Sequence, residues 1–139
     1  MRIVLGLLVV CVAGHICVSQ SSPGGRIADS REDSPSELGQ HGQEALANGR
    51  LEEAEKDFRR VLELDPKDGR AYANLGVVYM RRKQWTKALQ SLEKAEQLMP
   101  QVPGIRLNIG LAYYRQNEFL KAIPPFESVV RDQPSAEQP

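Results

Sequence analysis

Side chains suited to acid–base or metal chemistry are sparse in this sequence. Beyond residue 19 the single histidine is His41, and three carboxylates, Glu52, Glu53 and Glu55, stand close together. Paired carboxylates can serve as general acid and base, but no nucleophile, metal-ligand spacing or glycine-rich phosphate loop accompanies these. We therefore expect no catalysis, no metal and no cofactor. We expect His41 to be packed on an inward helix face and the glutamates to be solvated at a helix start.

Arg81, Arg82 and Lys83 form the one compact basic cluster. Such a cluster can bind phosphate, but no aromatic residues are interleaved with it. The chain also carries 18 basic and 18 acidic residues, so its formal net charge is zero. Nucleic acid is therefore not an expected partner. The cluster suits the negative end of a helix, and an alternative role is to steer an acidic partner towards a groove rim.

The positions of these residues are set by an internal repeat. Glycine, alanine and proline each recur at the same constant step along the chain: Gly42, Gly76 and Gly110; Ala54, Ala88 and Ala122; Pro66, Pro100 and Pro134. One copy is too small to bury a site of its own, so function is expected on the surface that the copies share.

Each unit is predicted to be a helix, a short turn and a second helix. The first helices are expected at 36–48, 70–83 and 104–116, and the second helices at 51–64, 85–99 and 119–132. Ser34 and Glu37 form a capping-box signature at the start, and proline ends the helices that precede Pro66 and Pro100. Gly49, Lys83-Gln84 and Gln116-Asn117 supply the turns within the units.

Further columns complete the repeat. Bulky residues recur at the start of the second helix (Leu51, Trp85, Phe119) and two turns later (Phe58, Leu92, Phe126). The small residues Gly42, Gly76, Gly110 and Ala54, Ala88, Ala122 are expected to face each other across each helix pair.

This pattern resembles the tetratricopeptide repeat family. The second unit matches best, through Tyr72, Leu75-Gly76, Tyr79, Ala88, Leu92, Ala95 and Pro100. The resemblance implies an all-α, right-handed solenoid of three helix-turn-helix repeats over 35–68, 69–102 and 103–134. It also implies a concave face, lined by the first helices, that binds a peptide or a protein helix.

The groove residues follow from the same resemblance, as first-helix positions not used in packing. They are Arg70, Ala73, Asn74, Val77, Met80, Arg81, Leu107, Asn108, Leu111, Tyr114 and Arg115, with Gln40, Gln43 and Ala47 from the first unit. The family subclass that grips a C-terminal carboxylate needs basic residues where this chain has Gly39 and Gly104, so that mode of binding is rejected.

The segment 1–19 differs in composition from the rest of the chain. Arg2 precedes an apolar run over 3–18, which is typical of a signal peptide cleaved after Ser19. A membrane anchor and a bacterial lipoprotein signal are the alternatives. The run is short against the roughly 20 residues of a spanning helix, and bulky residues precede Cys11 and Cys17. A cleaved chain would contain no cysteine and would be periplasmic or secreted, with a disordered linker over 20–34 and a tail over 135–139.

Two departures from the pattern affect the last helix. Pro124-Pro125 is expected to kink it near its start without breaking it. Its apolar residues also lack a following helix, so a homodimer through this helix or a longer array would cover them.

From the leader and the repeats together we expect an exported adaptor that binds protein. The alternatives are a fragment of a larger assembly that works through its last helix, and an accessory region of an enzyme.

Overall fold

The computed structural model describes residues 34–132, and within this range it contains six α-helices and no strand. The helices are α1 (Pro35–Ala47), α2 (Leu51–Leu64), α3 (Gly69–Arg81), α4 (Trp85–Leu98), α5 (Pro103–Arg115) and α6 (Phe119–Asp132). Their bounds agree closely with the predicted ones. The expected signal peptide, the linker up to residue 33 and the chain from 133 onwards lie outside the described residues.

Local signals explain where the helices begin and end. The Ser34 hydroxyl accepts from the Glu37 amide, and the Glu37 carboxylate accepts from the Ser34 amide, so the predicted capping box is confirmed. The Asp68 carboxylate accepts from the amides of Arg70 and Ala71 at the start of α3. Helices α2 and α4 end at Leu64 and Leu98, just before the Asp65-Pro66 and Met99-Pro100 steps.

The turn inside each repeat uses one left-handed residue, at the same position of every repeat. Gly49, Lys83 and Asn117 have φ of 75°, 59° and 62°. In each turn the next amide reaches back to a carbonyl of the preceding helix, as in the 2.8 Å bond from Arg50 N to Ala45 O. This arrangement satisfies carbonyls that the helix end would leave open. The predicted turn positions are therefore confirmed.

The repeat glycines pack against the bulky column and not mainly against the alanines, which corrects the expectation from the sequence. A Cβ at Gly42 would lie 2.9 Å from the Phe58 ring, and one at Gly76 would lie 2.5 Å from Leu92 Cγ. Gly110 stands in the same relation to Phe126. Each glycine thus makes room for the large side chain that the next helix directs towards it.

The helix pairs stack in chain order. Helix α2 packs on α3, and α4 packs on α5, while the first helices also contact one another, α1 with α3 and α3 with α5. Within residues 34–132 no second helix contacts another second helix. The first helices are therefore closer together and line the inner face of the stack.

Helix α6 continues through Pro124 and Pro125 without a break, as predicted; the kink stays a prediction. Its outer side is exposed, with Leu120 84% and Val130 73% accessible.

The longest helices of the described range have 14 residues, and none of its helices has the length and apolar character to span a bilayer.

Candidate functional site

The inner face holds a recess between α3 and α5 at their carboxyl-terminal ends, with a cavity volume of about 410 Å³. We call it the α3–α5 recess. Its walls are Val77, Met80, Arg81, Lys83, Trp85, Asn108 and Arg115. Five of these belong to the predicted groove set, since only Lys83 and Trp85 were not named for it.

The sequence contained a signal for Lys83. Lysine stands where the other two repeats have Gly49 and Asn117, the residue types that tolerate a left-handed backbone. Trp85 was assigned to a packing column, and in the structure it is half-buried at the start of α4, where it also lines the recess.

The three cations of the recess are not neutralised by carboxylates of the described chain. Arg81, Lys83 and Arg115 form no ion pair with any residue in 34–132. Arg81 is nevertheless held in place, because its Nη1 donates to the Leu46 carbonyl at 2.6 Å. The recess therefore combines apolar walls with three unpaired cations, of which Arg81 is fixed by a hydrogen bond.

Three further predicted residues, Leu107, Leu111 and Tyr114, form an exposed stripe along α5. They are 41%, 36% and 53% accessible. The equivalent residues of the second repeat are Ala73, Val77 and Met80. They are half-buried, because they pack against core clusters that include residues of α4 and α5. The stripe is accessible because, in the described part of the chain, no helix follows α5 on that side except its partner α6.

The remaining predicted residues lie in three places. Arg70 and Asn74 line a smaller recess of about 210 Å³ at the amino-terminal ends of α1 and α3, together with Gln40 and Gln43. Ala73 packs against the core cluster of Ile105 and Ile109, and Ala47 is exposed at the end of α1. The structure thus does not join all the predicted positions in one continuous pocket.

The basic cluster at 81–83 is not one patch, which corrects the sequence interpretation. Arg82 is ion-paired with Glu55 and, at 3.3 Å, with Glu52. Glu55 also accepts from the Tyr79 hydroxyl at 3.0 Å. Its carboxylate thus joins α2 to α3 and is only 17% exposed, so the three glutamates are not simply a solvated face.

His41 is also placed differently from the expectation. Its side chain is half exposed, and its Nδ1 lies 2.6 Å from Asp57 Oδ2 while its Nε2 lies 3.3 Å from Glu53 Oε1. The hydrogen bond to Asp57, the Asp57 charge and the Glu53 charge raise the pKa of His41 above its usual 6.5, against desolvation and Arg50. Since the two carboxylates lie at opposite ring nitrogens, the three groups do not converge on a point where a metal could sit.

This geometry predicts a pH dependence of stability. A histidine whose pKa is higher in the folded than in the unfolded state stabilises the folded protein. The full stabilisation is present below the pKa of the unfolded chain, about 6.5, and it is lost as the pH rises through the pKa of the folded state. We expect the urea midpoint of the wild type to fall relative to that of His41→Gln between pH 6 and pH 8.5. Glu53, Asp57 and Arg50 are present in both proteins, so the difference between the two midpoints reports on His41 and its contacts. An identical pH profile for both proteins would contradict the prediction.

The repeat architecture is matched by known sequences. The tetratricopeptide repeat pattern matches residues 40–104 and 84–137, which together make up most of the chain. The chain belongs to the tetratricopeptide repeat family. Over 58 residues it is 40% identical to the E3 ubiquitin-protein ligase TTC3 of Mus musculus, covering 40% of this chain and 3% of that protein. Over 59 residues it is 36% identical to a cell division cycle protein 27 homolog of Caenorhabditis elegans, covering 42% and 8%.

Solved structures show the same fold in other proteins. The first tetratricopeptide repeat domain of Spaghetti (RPAP3), solved with the HSP90 peptide SRMEEVD, has a TM-score of 0.70 at 20% identity and covers 73% of this chain and 81% of its own. The TPR2B domain of yeast Sti1, in a complex with pHsp70, has a TM-score of 0.68 at 17% identity, covering 70% and 78%. MamA has 0.69 at 23%, covering 72% and 58%. These likenesses establish an all-α solenoid of helix-turn-helix repeats.

Proposed function

We propose that this tetratricopeptide repeat protein is a non-catalytic adaptor that binds a peptide or helix of another protein along its inner face. The observation that supports this is the arrangement of α3 and α5. Their inward side chains form an apolar recess and an adjoining exposed apolar stripe, and Asn108 contributes a polar amide to the recess wall. Apolar pockets with a few placed polar groups are the usual form of such binding sites.

Two of the similar folds are known in complex with peptide or protein partners, as the Spaghetti and Sti1 structures show for those proteins. Sequence identity to them is low, so their ligands are not transferred to this chain. What is transferred as a proposal is the mode of binding, in which a preformed inner face accepts a segment of another protein.

The test uses a displayed library of random peptides selected on the full chain. Variant Leu111→Asp places a charge in the exposed stripe, and we expect it to weaken the selected peptides at least tenfold. Leu111 suits this test because it is accessible, whereas Met80 packs against two core clusters and its replacement would also lower stability. Thermal unfolding checks that Leu111→Asp remains folded. Peptides that bind the wild type and Leu111→Asp equally would contradict the proposal.

A second candidate function uses α6, because its outer side exposes Leu120, Ile123 and Val130. In this alternative the helix joins a second copy of the chain or a larger assembly. Val130→Asp is the discriminating variant. It leaves peptide binding unchanged if the inner face is the site, and it abolishes association if α6 is the site.

We also propose that the protein works outside the cytoplasm, on the strength of the apolar run at 3–18 that follows Arg2. Amino-terminal sequencing of the mature protein tests this. A mature chain that begins at Gln20 supports export by a cleaved signal peptide, and one that begins at Met1 contradicts cleavage and leaves the membrane anchor as the alternative.

A further inference from the structure

The inner and outer helices of this neutral protein differ in charge. Helices α3 and α5 together contain four arginines, Arg70, Arg81, Arg106 and Arg115, and no aspartate or glutamate. Helix α2, on the outer layer, contains five carboxylates and three basic residues. Helix α1, the remaining first helix, contains two glutamates and no lysine or arginine. The inner face is therefore positive along α3 and α5, although the sequence has no net charge.

Ion pairs remove part of this charge and leave the rest at one place. Arg106 is paired with Asp132, and Arg70 lies 3.8 Å from Asp68. The other two arginines, Arg81 and Arg115, have no acidic partner among residues 34–132, and both line the α3–α5 recess together with Lys83. The residual positive charge of the inner face is therefore concentrated around the recess.

The backbone of Lys83 gives an independent indication. Its φ of 59° is left-handed, a conformation that costs stability for a lysine and very little for the glycine or asparagine found at the equivalent turns. The turn imposes this φ in every repeat, and strained backbone of this kind clusters at functional sites. Lys83 is also a wall of the recess, so its ammonium group adds to the charge of Arg81 and Arg115.

From these observations, and building on the proposed function, we propose that the α3–α5 recess selects an acidic segment of a partner protein. An apolar side chain of that segment lies against Val77, Met80 and Trp85. Side-chain carboxylates on either side of it bind Arg81, Lys83 and Arg115. Unpaired cations beside an apolar surface favour carboxylates over neutral or basic groups, and complementary charge raises the association rate as well as the specificity.

The experiment measures binding of short labelled peptides with blocked termini to the full chain. The first peptide has one leucine flanked by pairs of glutamates. The comparison peptides replace the glutamates by glutamine or by lysine, or the leucine by alanine. We expect the glutamate peptide to bind at least tenfold more tightly than each of the others, and its affinity to fall as salt is raised.

Variant Lys83→Asn separates binding from stability. Asparagine suits the left-handed turn, so we expect the thermal midpoint to stay level or rise while affinity for the glutamate peptide falls about three- to tenfold. Lys67→Asn is the matched control, because it removes the same charge from a turn between helices that does not line the recess. We expect Lys67→Asn to bind like the wild type.

The outcomes distinguish this inference from the proposed function. The selected peptides could depend on Leu111 and yet carry no excess of acidic residues and bind Lys83→Asn as tightly as the wild type. That result would overturn the acidic specificity and leave the adaptor function standing. Peptides that bind only with a free C-terminal carboxylate would overturn the assignment to side-chain carboxylates. Equal loss of affinity in Lys83→Asn and Lys67→Asn would show a general charge effect and would also overturn the inference.

Discussion

Replacing Phe58 by alanine is expected to lower the free energy of unfolding by about 3–5 kcal/mol. The ring is fully buried, and it fills the space left by the missing side chain of Gly42. It belongs to a core cluster that includes Ala45, Leu75 and Val78, so it joins the first repeat to the second. A cavity at this place therefore weakens the packing between repeats as well as the packing within one. A domain of this size has a total stability of about 5–15 kcal/mol, so the first repeat should unfold readily.

The matched control is Phe126→Ala, which removes the same ring from the same column of the third repeat. Phe126 is only half-buried because α6 has no further helix packed on it in the described chain. We expect its loss to cost clearly less than that of Phe58. Urea denaturation followed by circular dichroism measures both variants. A cost for Phe126→Ala equal to that for Phe58→Ala would show that burial in the column is not what sets the loss.

Replacing Gly76 by alanine is expected to destabilise the protein by a net amount of about 1–2 kcal/mol, although alanine is the better helix former. The added Cβ would lie 2.5 Å from Leu92 Cγ and 2.6 Å from its Cδ2. Leu92 is completely buried, so it cannot rotate away without moving its neighbours. At so confined a position we expect the upper part of the range of about 1–3 kcal/mol that overpacking costs. This cost exceeds the gain of about 1 kcal/mol in helix propensity.

Gly39→Ala is the control of opposite sign. Gly39 lies inside α1 with no atom within 4 Å of an added Cβ, so only the propensity gain of about 1 kcal/mol remains. Chemical denaturation of both variants provides the comparison. Should Gly76→Ala prove as stabilising as Gly39→Ala, the close approach of α3 and α4 at this glycine would not be a real constraint.

The helix bounds and the turns could be predicted because their causes are local. The Ser34–Glu37 capping box, the left-handed residue at 49, 83 and 117 and the prolines at 66 and 100 act within a few residues of the backbone that they shape. Their repetition at one spacing made each signal stronger than it would be alone. Five residues of the α3–α5 recess were named through the resemblance to the tetratricopeptide repeat family, which assigns the groove to first-helix positions not used in packing.

The polar contacts could not be predicted in this way. His41 was expected to be packed inwards, and it lies between Glu53 and Asp57 instead. Arg81 and Arg82 are adjacent in sequence, yet Arg81 contacts the end of α1 while Arg82 pairs with an acid on α2. Successive residues of a helix point about 100° apart, so a run of charges in the sequence is not a patch on the surface.

By itself the sequence determined that this protein is a stack of helical hairpins, because short-range backbone preferences recur at a constant interval along the chain. The tertiary structure decided which side chains meet. Partners such as Glu55 and Arg82, or Gly76 and Leu92, belong to different helices. Their separation depends on how far one helix is displaced along the next and on which rotamers the packing permits. The unpaired positive charge around the α3–α5 recess became visible only when the neighbouring acids had been placed elsewhere.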